Sequence, residues 1–167
     1  MPVRPVLLVP DPRLKQRCAE VENFDDALRE LVRDLEDTMQ ASPGCVGIAA
    51  CQIGAMQRVA IVDTSVHRKH GSQSQGRFII INPKILAKRG ENMGREGCLS
   101  LPDFTANVLR AQEVDIEYSG ENGERKFVTC TDFEAVAMQH EIDHLDGILF
   151  LDRVANLKTD VFPRKKK

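Results

Sequence analysis

The chain has 167 residues, 42% hydrophobic and 29% charged, a balance that supports a buried core and excludes global disorder. That length predicts one domain spanning residues 1–167. With 23 Lys and Arg against 25 Asp and Glu, the net charge of -2 excludes an overall basic field for nucleic acid and leaves only a local basic end, Arg164 to Lys167.

In chain order, the first apolar run is Val6 to Val9, set among Pro2, Pro5 and Pro10. It is too short for a secretory signal or a membrane span, so a cytoplasmic protein without membrane association is expected. The cysteines, Cys18, Cys45, Cys51, Cys98 and Cys130, are odd in number and lack framework spacing. In a reducing compartment most of them should be small buried residues. Asn23 can cap a helix in which Phe24, Leu28, Leu31, Val32, Leu35 and Met39 recur at helical spacing, ending before Ser42, Pro43 and Gly44. Strands are expected at Arg58 to Val62 and at Phe78 to Ile81. Between them, His67 to Gly76 reads as a polar surface loop, with His67 and His70 solvated. Gly90 and Gly94 mark a glycine-rich loop. Val114 to Tyr118 then alternates with period two, and Asn122-Gly123 turns it into Lys126 to Cys130, a hairpin. The last element opens at Thr131, where Thr131 and Glu134 form a capping-box pattern, and runs as a helix to about Asp146, with Gly147 as its stop.

That helix carries His140, Glu141 and His144. Two imidazoles four residues apart lie one turn apart on one face, where both can reach a single divalent ion, with Glu141 beside them. The arrangement suits metal-assisted hydrolysis, in which the cation acidifies water and a carboxylate relays the proton. Phe133, Val136, Ala137 and His140 share one face, so the metal end of the helix continues into an apolar wall able to receive a substrate side chain. A catalytic ion of this kind usually takes three protein ligands. A third histidine of the metzincin pattern would fall at Phe150, and no Glu follows Glu141. The third ligand must come from upstream, with Cys98 after the glycine-rich loop as candidate, or from a downstream carboxylate, Asp146 or Asp152.

The sequence resembles peptide deformylases in three motifs, in the same order. Cys45 to Gln52 is similar to a Gly-x-Gly-Φ-Ala-Ala-x-Gln motif, where Φ is apolar, except that Cys45 stands at the first glycine; Glu96 to Ser100 matches Glu-Gly-Cys-Leu-Ser; Gln139 to His144 matches Gln-His-Glu-x-x-Asp-His. The resemblance implies that Cys98, His140 and His144 hold one metal ion per chain, Fe²⁺ in the cell with Zn²⁺, Ni²⁺ or Co²⁺ as substitutes. It implies removal of the formyl group from N-formylmethionyl peptides of newly made proteins, releasing formate. Glu141 would then accept a proton from the attacking water and pass one to the leaving amine, while the Gln52 side chain and the Leu99 backbone N–H steady the oxyanion. The methionine side chain would meet Val46, Gly47, Phe133, Val136 and Ala137, with Glu96 at the rim and the backbones of Gly47 and Gly97 holding an extended peptide. Near Thr105 a family member often carries an Arg or Tyr over the substrate; here the residue is small.

The implied fold is α+β, antiparallel strands surrounding the central metal-binding helix, with the Asn23 helix outside and Cys98 delivered from a sheet edge. Lys158, Arg164, Lys165, Lys166 and Lys167 can meet ribosomal RNA phosphates, although Pro163 argues against one continuous helix to the end. No pairing surface is evident, and a monomer is expected. The rival readings are a zinc peptidase built on the same helix, and a non-catalytic module closed around a structural zinc. The first is disfavoured by Gln52 with Glu96, Gly97 and Cys98, the second by having only three candidate ligands.

Overall fold

The structure is a computed structural model that describes residues 3–67 and 71–164. In chain order these form α1 (Asp26–Gln40), β1 (Gly47–Ala49), β2 (Val59–Asp63), β3 (Arg77–Arg89), β4 (Asn92–Cys98), β5 (Leu101–Arg110), β6 (Glu113–Ser119), β7 (Arg125–Thr131), α2 (Asp132–Leu145) and β8 (Val161–Pro163), with short 3-10 turns between several of them. All strand pairs are antiparallel, in a five-stranded sheet of order β1-β2-β3-β6-β7 and a three-stranded sheet of order β4-β5-β8. No helix among the described residues is long and apolar enough to cross a membrane.

The strand β2 explains the layering. All five of its residues are buried, because a helix covers each face of the sheet it belongs to. Strand side chains alternate between faces. Val59 and Ile61 therefore join a core with Leu28, Leu31, Val32, Leu35 and Met39 of α1. Ala60 and Val62 join a second core with Ala135, Ala137, Met138, Ile142 and Leu145 of α2, together with Val114, Ile116 and Cys130 of β6 and β7. A smaller cluster, formed by Cys98, Ala106, Val108 and Phe150, ties the three-stranded sheet to the other side of α2. The helix thus lies between the two sheets, and α1 covers the outer face of the larger one.

Local chemistry sets the boundaries. α1 begins later than Asn23 suggests: the Leu28 N–H donates to the Asp25 carboxylate at 3.1 Å, and Asp25 is the cap. Phe24 lies before the helix and packs against the α1 core and Gly123. The hairpin forms as expected, Glu113 facing Thr131 and Ser119 facing Arg125, with Gly123 in its turn at φ 84°. Thr131 is the N-cap of α2, but its side chain makes no capping bond. Glu134 does not reach back to it; instead it accepts from the Gln75 backbone N–H at 2.9 Å and side-chain Nε2 at 2.7 Å. Two donors in one buried place outcompete a local cap, and they tie the chain before β3 to the start of α2. Gly147 ends α2 at φ 78°, and a Cβ there would lie 2.6 Å from the Lys15 carbonyl oxygen, so conformation and space both demand glycine.

One expectation is corrected by the three-stranded sheet. Gly90 makes a turn at φ 68°, but Gly94 is not in a loop: it sits within β4, paired with Val108 of β5. Among the described residues the chain end forms no helix, in keeping with Pro163. β8 pairs with β5, Phe162 facing Thr105. Lys165, Lys166 and Lys167 lie outside the described residues, as does His70.

Candidate active site

His140 and His144 stand one turn apart on α2 with ring centroids separated by 5.0 Å, and β4, an edge strand, ends at Cys98 directly opposite them. The Cys98 Sγ is 3.3 Å from the His144 Nε2, and one ligand atom from each of the three residues lies within 4.8 Å of the others. Ligand atoms of a four-coordinate ion with bonds of 2.0–2.3 Å stand about 3.3–3.8 Å apart, a spacing that the Cys98–His144 pair already has, and the three residues together could hold one transition-metal ion. A thiolate with two imidazoles suits iron, zinc, nickel or cobalt. Burial opposes ionisation of Cys98, but the charge of His144 and hydrogen bonds from both histidines outweigh it and hold the thiol well below its ordinary pKa. The alternative ligands are occupied elsewhere: Asp146 pairs with Arg58 at 2.9 Å, and Asp152 accepts from the Leu149 N–H at 2.9 Å.

A buried ionic lattice orients the histidines. Glu96 was expected at the pocket rim as a substrate contact; it does line the cavity, yet its carboxylate oxygens are taken. The His140 Nδ1 lies 2.9 Å from Oε1, and the Arg110 guanidinium grips both oxygens at 2.8 and 2.9 Å. This fixes the His140 ring with Nε2 toward the Cys98 side. Burial would raise the Glu96 pKa, but Arg110 and His140 bring it down to about 2. Arg110 also donates to Asp143, whose carboxylate is held from the other side by Arg153. Gln139 braces the same region, donating from Nε2 to the Ala111 carbonyl at 2.9 Å and accepting the Ala111 N–H at 3.1 Å. Arg110 was absent from the sequence reading. Its signal was indirect, since the buried acids Glu96 and Asp143 on motif elements require a cation that no motif supplies.

Glu141 is buried on the wall of the cavity, and its Oε1 has no hydrogen-bond partner among the described residues. Desolvation raises its pKa, partly offset by the nearby histidines, which suits a carboxylate that takes up and returns a proton. Gly47 is required beside it: a Cβ there would fall 2.6 Å from the Glu141 Oε2. Gln52 accepts the Ala49 N–H through Oε1 at 2.9 Å, which turns its Nε2 toward Ser100 Oγ at 3.1 Å and Cys98 Sγ at 3.4 Å. The amide is thereby fixed as a donor beside the ligand cluster.

The cavity has a volume of about 320 Å³ and brings together Val46, Gly47, Glu96, Gly97, Cys98, Leu99, Phe133, Val136, Ala137, His140 and Glu141, while Gln52 and His144 are fully buried behind that wall. Its size and largely apolar floor suit one unbranched side chain plus a stretch of peptide. Cys45, His67, Arg95 and Arg164 also line it and were not expected to. Cys45 donates to the Gly47 carbonyl at 3.1 Å, and burial pushes its thiol up to about 12, so it is an inert wall group. His67 is not simply solvated: its ring lies 4.5 Å from that of Phe133.

A sequence profile of the polypeptide deformylase family matches residues 3–160. The chain is 40% identical over 167 residues to a peptide deformylase of Syntrophobacter fumaroxidans, covering all of this chain and 95% of that one. Among solved structures it is similar to a peptide deformylase from Legionella pneumophila, with a TM-score of 0.85 at 37% identity over 94% of this chain and 89% of the other. It is also similar to a class I type b peptide deformylase from Acinetobacter baumannii with bound Met-Ala-Ser, with a TM-score of 0.85 at 33% identity over 92% and 99% of the two chains.

Proposed function

The chain belongs to the polypeptide deformylase family and removes the N-formyl group from the N-terminal methionine of nascent proteins in a metal-dependent hydrolysis, and we propose that Cys98, His140 and His144 hold the metal while Glu141 moves the proton. The observation that carries this assignment is the convergence of the three ligand atoms beside a buried, unpartnered carboxylate oxygen on the wall of one cavity. A divalent ion at such a site polarises a carbonyl and brings the pKa of water toward neutrality. Glu141, desolvated but flanked by positive charge, accepts the proton of the attacking water and delivers one to the departing amine. Formate and a free N-terminus result.

The remaining roles follow from position. The Gln52 Nε2, held toward Cys98 by the Ala49 N–H, and the Leu99 backbone N–H donate to the oxygen that gains charge as the formyl carbon becomes tetrahedral. Val46, Gly47, Phe133, Val136 and Ala137 receive the methionine side chain, and the backbones of Gly47 and Gly97 support the peptide that follows. Arg110, through Glu96, is a positioning residue for His140. Met-Ala-Ser bound to the Acinetobacter protein is the product such a reaction gives from its formylated form, which supports the same substrate class here.

The native ion in this reading is Fe²⁺, with Zn²⁺, Ni²⁺ and Co²⁺ as functional substitutes, and the catalytic unit is a single domain over residues 1–167, acting as a monomer in the cytoplasm. A contact with ribosomal RNA phosphates rests on Lys158 and the three terminal lysines, since Arg164 turns to the cavity. The test is formate release from formyl-Met-Ala-Ser by protein purified without oxygen, with and without a chelator. Chelator-sensitive release is expected. No release after resupply of Fe²⁺, Ni²⁺ and Zn²⁺ in turn would refute the assignment.

A further inference from the structure

The outer part of the cavity is charged in a way that the inner part is not. Glu96 is neutralised by Arg110 and His140, but two exposed arginines at the mouth, Arg95 and Arg164, have no ion-pair partner among the described residues. Their placement is fixed by the fold. Along β4 the side chains alternate, so that Glu96 and Cys98 point inward to α2 while Arg95 and Gly97 face out. The strand β8, held beside β5 with Phe104 facing Pro163 and Thr105 facing Phe162, brings the side chains of Phe162 and Arg164 to this outer face of β4. There the Arg95 guanidinium lies 3.8 Å from the centre of the Phe162 ring, a stack that holds the charge in place without neutralising it. The Arg164 N–H donates to the Asp103 carbonyl at 2.8 Å, and its guanidinium lies over Gly97, where a Cβ would meet Nη2 at 2.0 Å. Gly97 is therefore the seat of a cation beside the ligand Cys98. A small Thr105, whose Cγ2 lies 3.5 Å from the same point, leaves room for it.

We propose that Arg164 and Arg95 form a cationic rim that selects formylmethionyl peptides bearing a carboxylate side chain at the second or third residue. This rests on the reading above, in which the methionine enters the apolar floor and the following residues leave across Gly97. A peptide on that route passes the two unpaired guanidinium groups, whose forked donors match a carboxylate. Because both groups are exposed, the gain is modest and screened by salt. The contact is made alike before and during the chemical step, so it acts on KM and leaves kcat nearly untouched.

The test compares C-terminally amidated pairs, formyl-Met-Glu-Ala against formyl-Met-Gln-Ala and formyl-Met-Ala-Glu against formyl-Met-Ala-Gln, using the anaerobically purified holoenzyme. At low salt the acidic member of at least one pair should win by about three- to ten-fold in kcat/KM, through KM, with the ratio shrinking as salt rises. Arg164→Gln should bring the ratio toward one, Arg164→Lys should restore part of it, and Arg125→Gln, on the far exposed strand β7, should leave it unchanged. Brisk formate release with a ratio of one in both pairs would overturn the rim alone. A ratio that survives Arg164→Gln together with Arg95→Gln would do the same. No release even from the glutamine peptides would overturn the deformylase assignment and the rim with it.

Discussion

α1 buries seven of its fifteen residues, five of them Leu, Val or Met, whereas α2 buries eleven of its fourteen, six of them Glu, Gln, Asp or His. The first helix needs only one apolar stripe laid on a sheet, because its other side meets water. The second is covered on both sides, by the five-stranded sheet and by the three-stranded one, so each of its polar groups must be satisfied from another element. Glu134 is met from the segment before β3, Gln139 from the corner between β5 and β6, His140 through Glu96, and Asp143 by Arg110 and Arg153. Among the described residues, Glu141 is the one carboxylate of α2 that keeps a buried oxygen without a partner, and it lines the cavity; the His144 Nδ1 on the same helix and the Asp34 Oδ1 on α1 are likewise without one. α1 serves packing alone, whereas α2 carries packing and the candidate site together.

Substitutions can break this contrast in order of expected effect. Glu141→Gln removes the proton carrier while preserving shape: turnover should fall by about 10²–10⁴ with metal content and the urea midpoint nearly unchanged. A variant that loses its metal in proportion would mean that Glu141 is a ligand. Arg110→Met leaves the buried Glu96 with His140 alone and Asp143 with Arg153 alone, and should cost about 3–5 kcal/mol in urea unfolding. Metal affinity should drop about 10–100-fold in the same variant, because Glu96, no longer gripped by Arg110, holds the His140 ring less firmly.

On α1 the effects should stay local. Asp25→Ala removes a real cap and should cost about 1 kcal/mol, with metal content and kcat as in the wild type. Thr131→Ala on α2 should cost less than about 0.5 kcal/mol, since its side chain makes no capping bond. A loss near that of Asp25→Ala would restore the capping box that the sequence pattern suggests.

The same contrast explains what could be read beforehand. α1 and the β6–β7 hairpin were legible because one-sided burial and a tight turn each leave a periodic trace, and β2 because burial on both faces leaves a short unbroken apolar run. Their ends were less so: Asn23 is as good a cap in isolation as Asp25, and only the packing of Phe24 decides between them. β5 escaped notice because its inward alternation begins only at Ala106, after an exposed first half. The candidate ligands His140 and His144 follow from helical spacing alone, and Cys98 from the missing third ligand together with motif resemblance. The lattice that holds them does not, for Glu96 and Arg110 come from neighbouring strands and Asp143 from the helix, which only the assembled sheet brings together. The arginines of the rim are equally silent in the sequence, since nothing local tells that the chain end returns beside β5 and lays the Arg164 side chain over Gly97 of β4.

If Cys98, His140 and His144 hold one metal ion with no fourth protein group, X-ray absorption at the metal edge of anaerobically purified protein will show it. One ion per chain is expected, with a single sulfur neighbour and two imidazoles, and with loss of that sulfur together with most of the metal in Cys98→Ala. An ion closed by four protein ligands, or one with no sulfur neighbour, would contradict that ligand set.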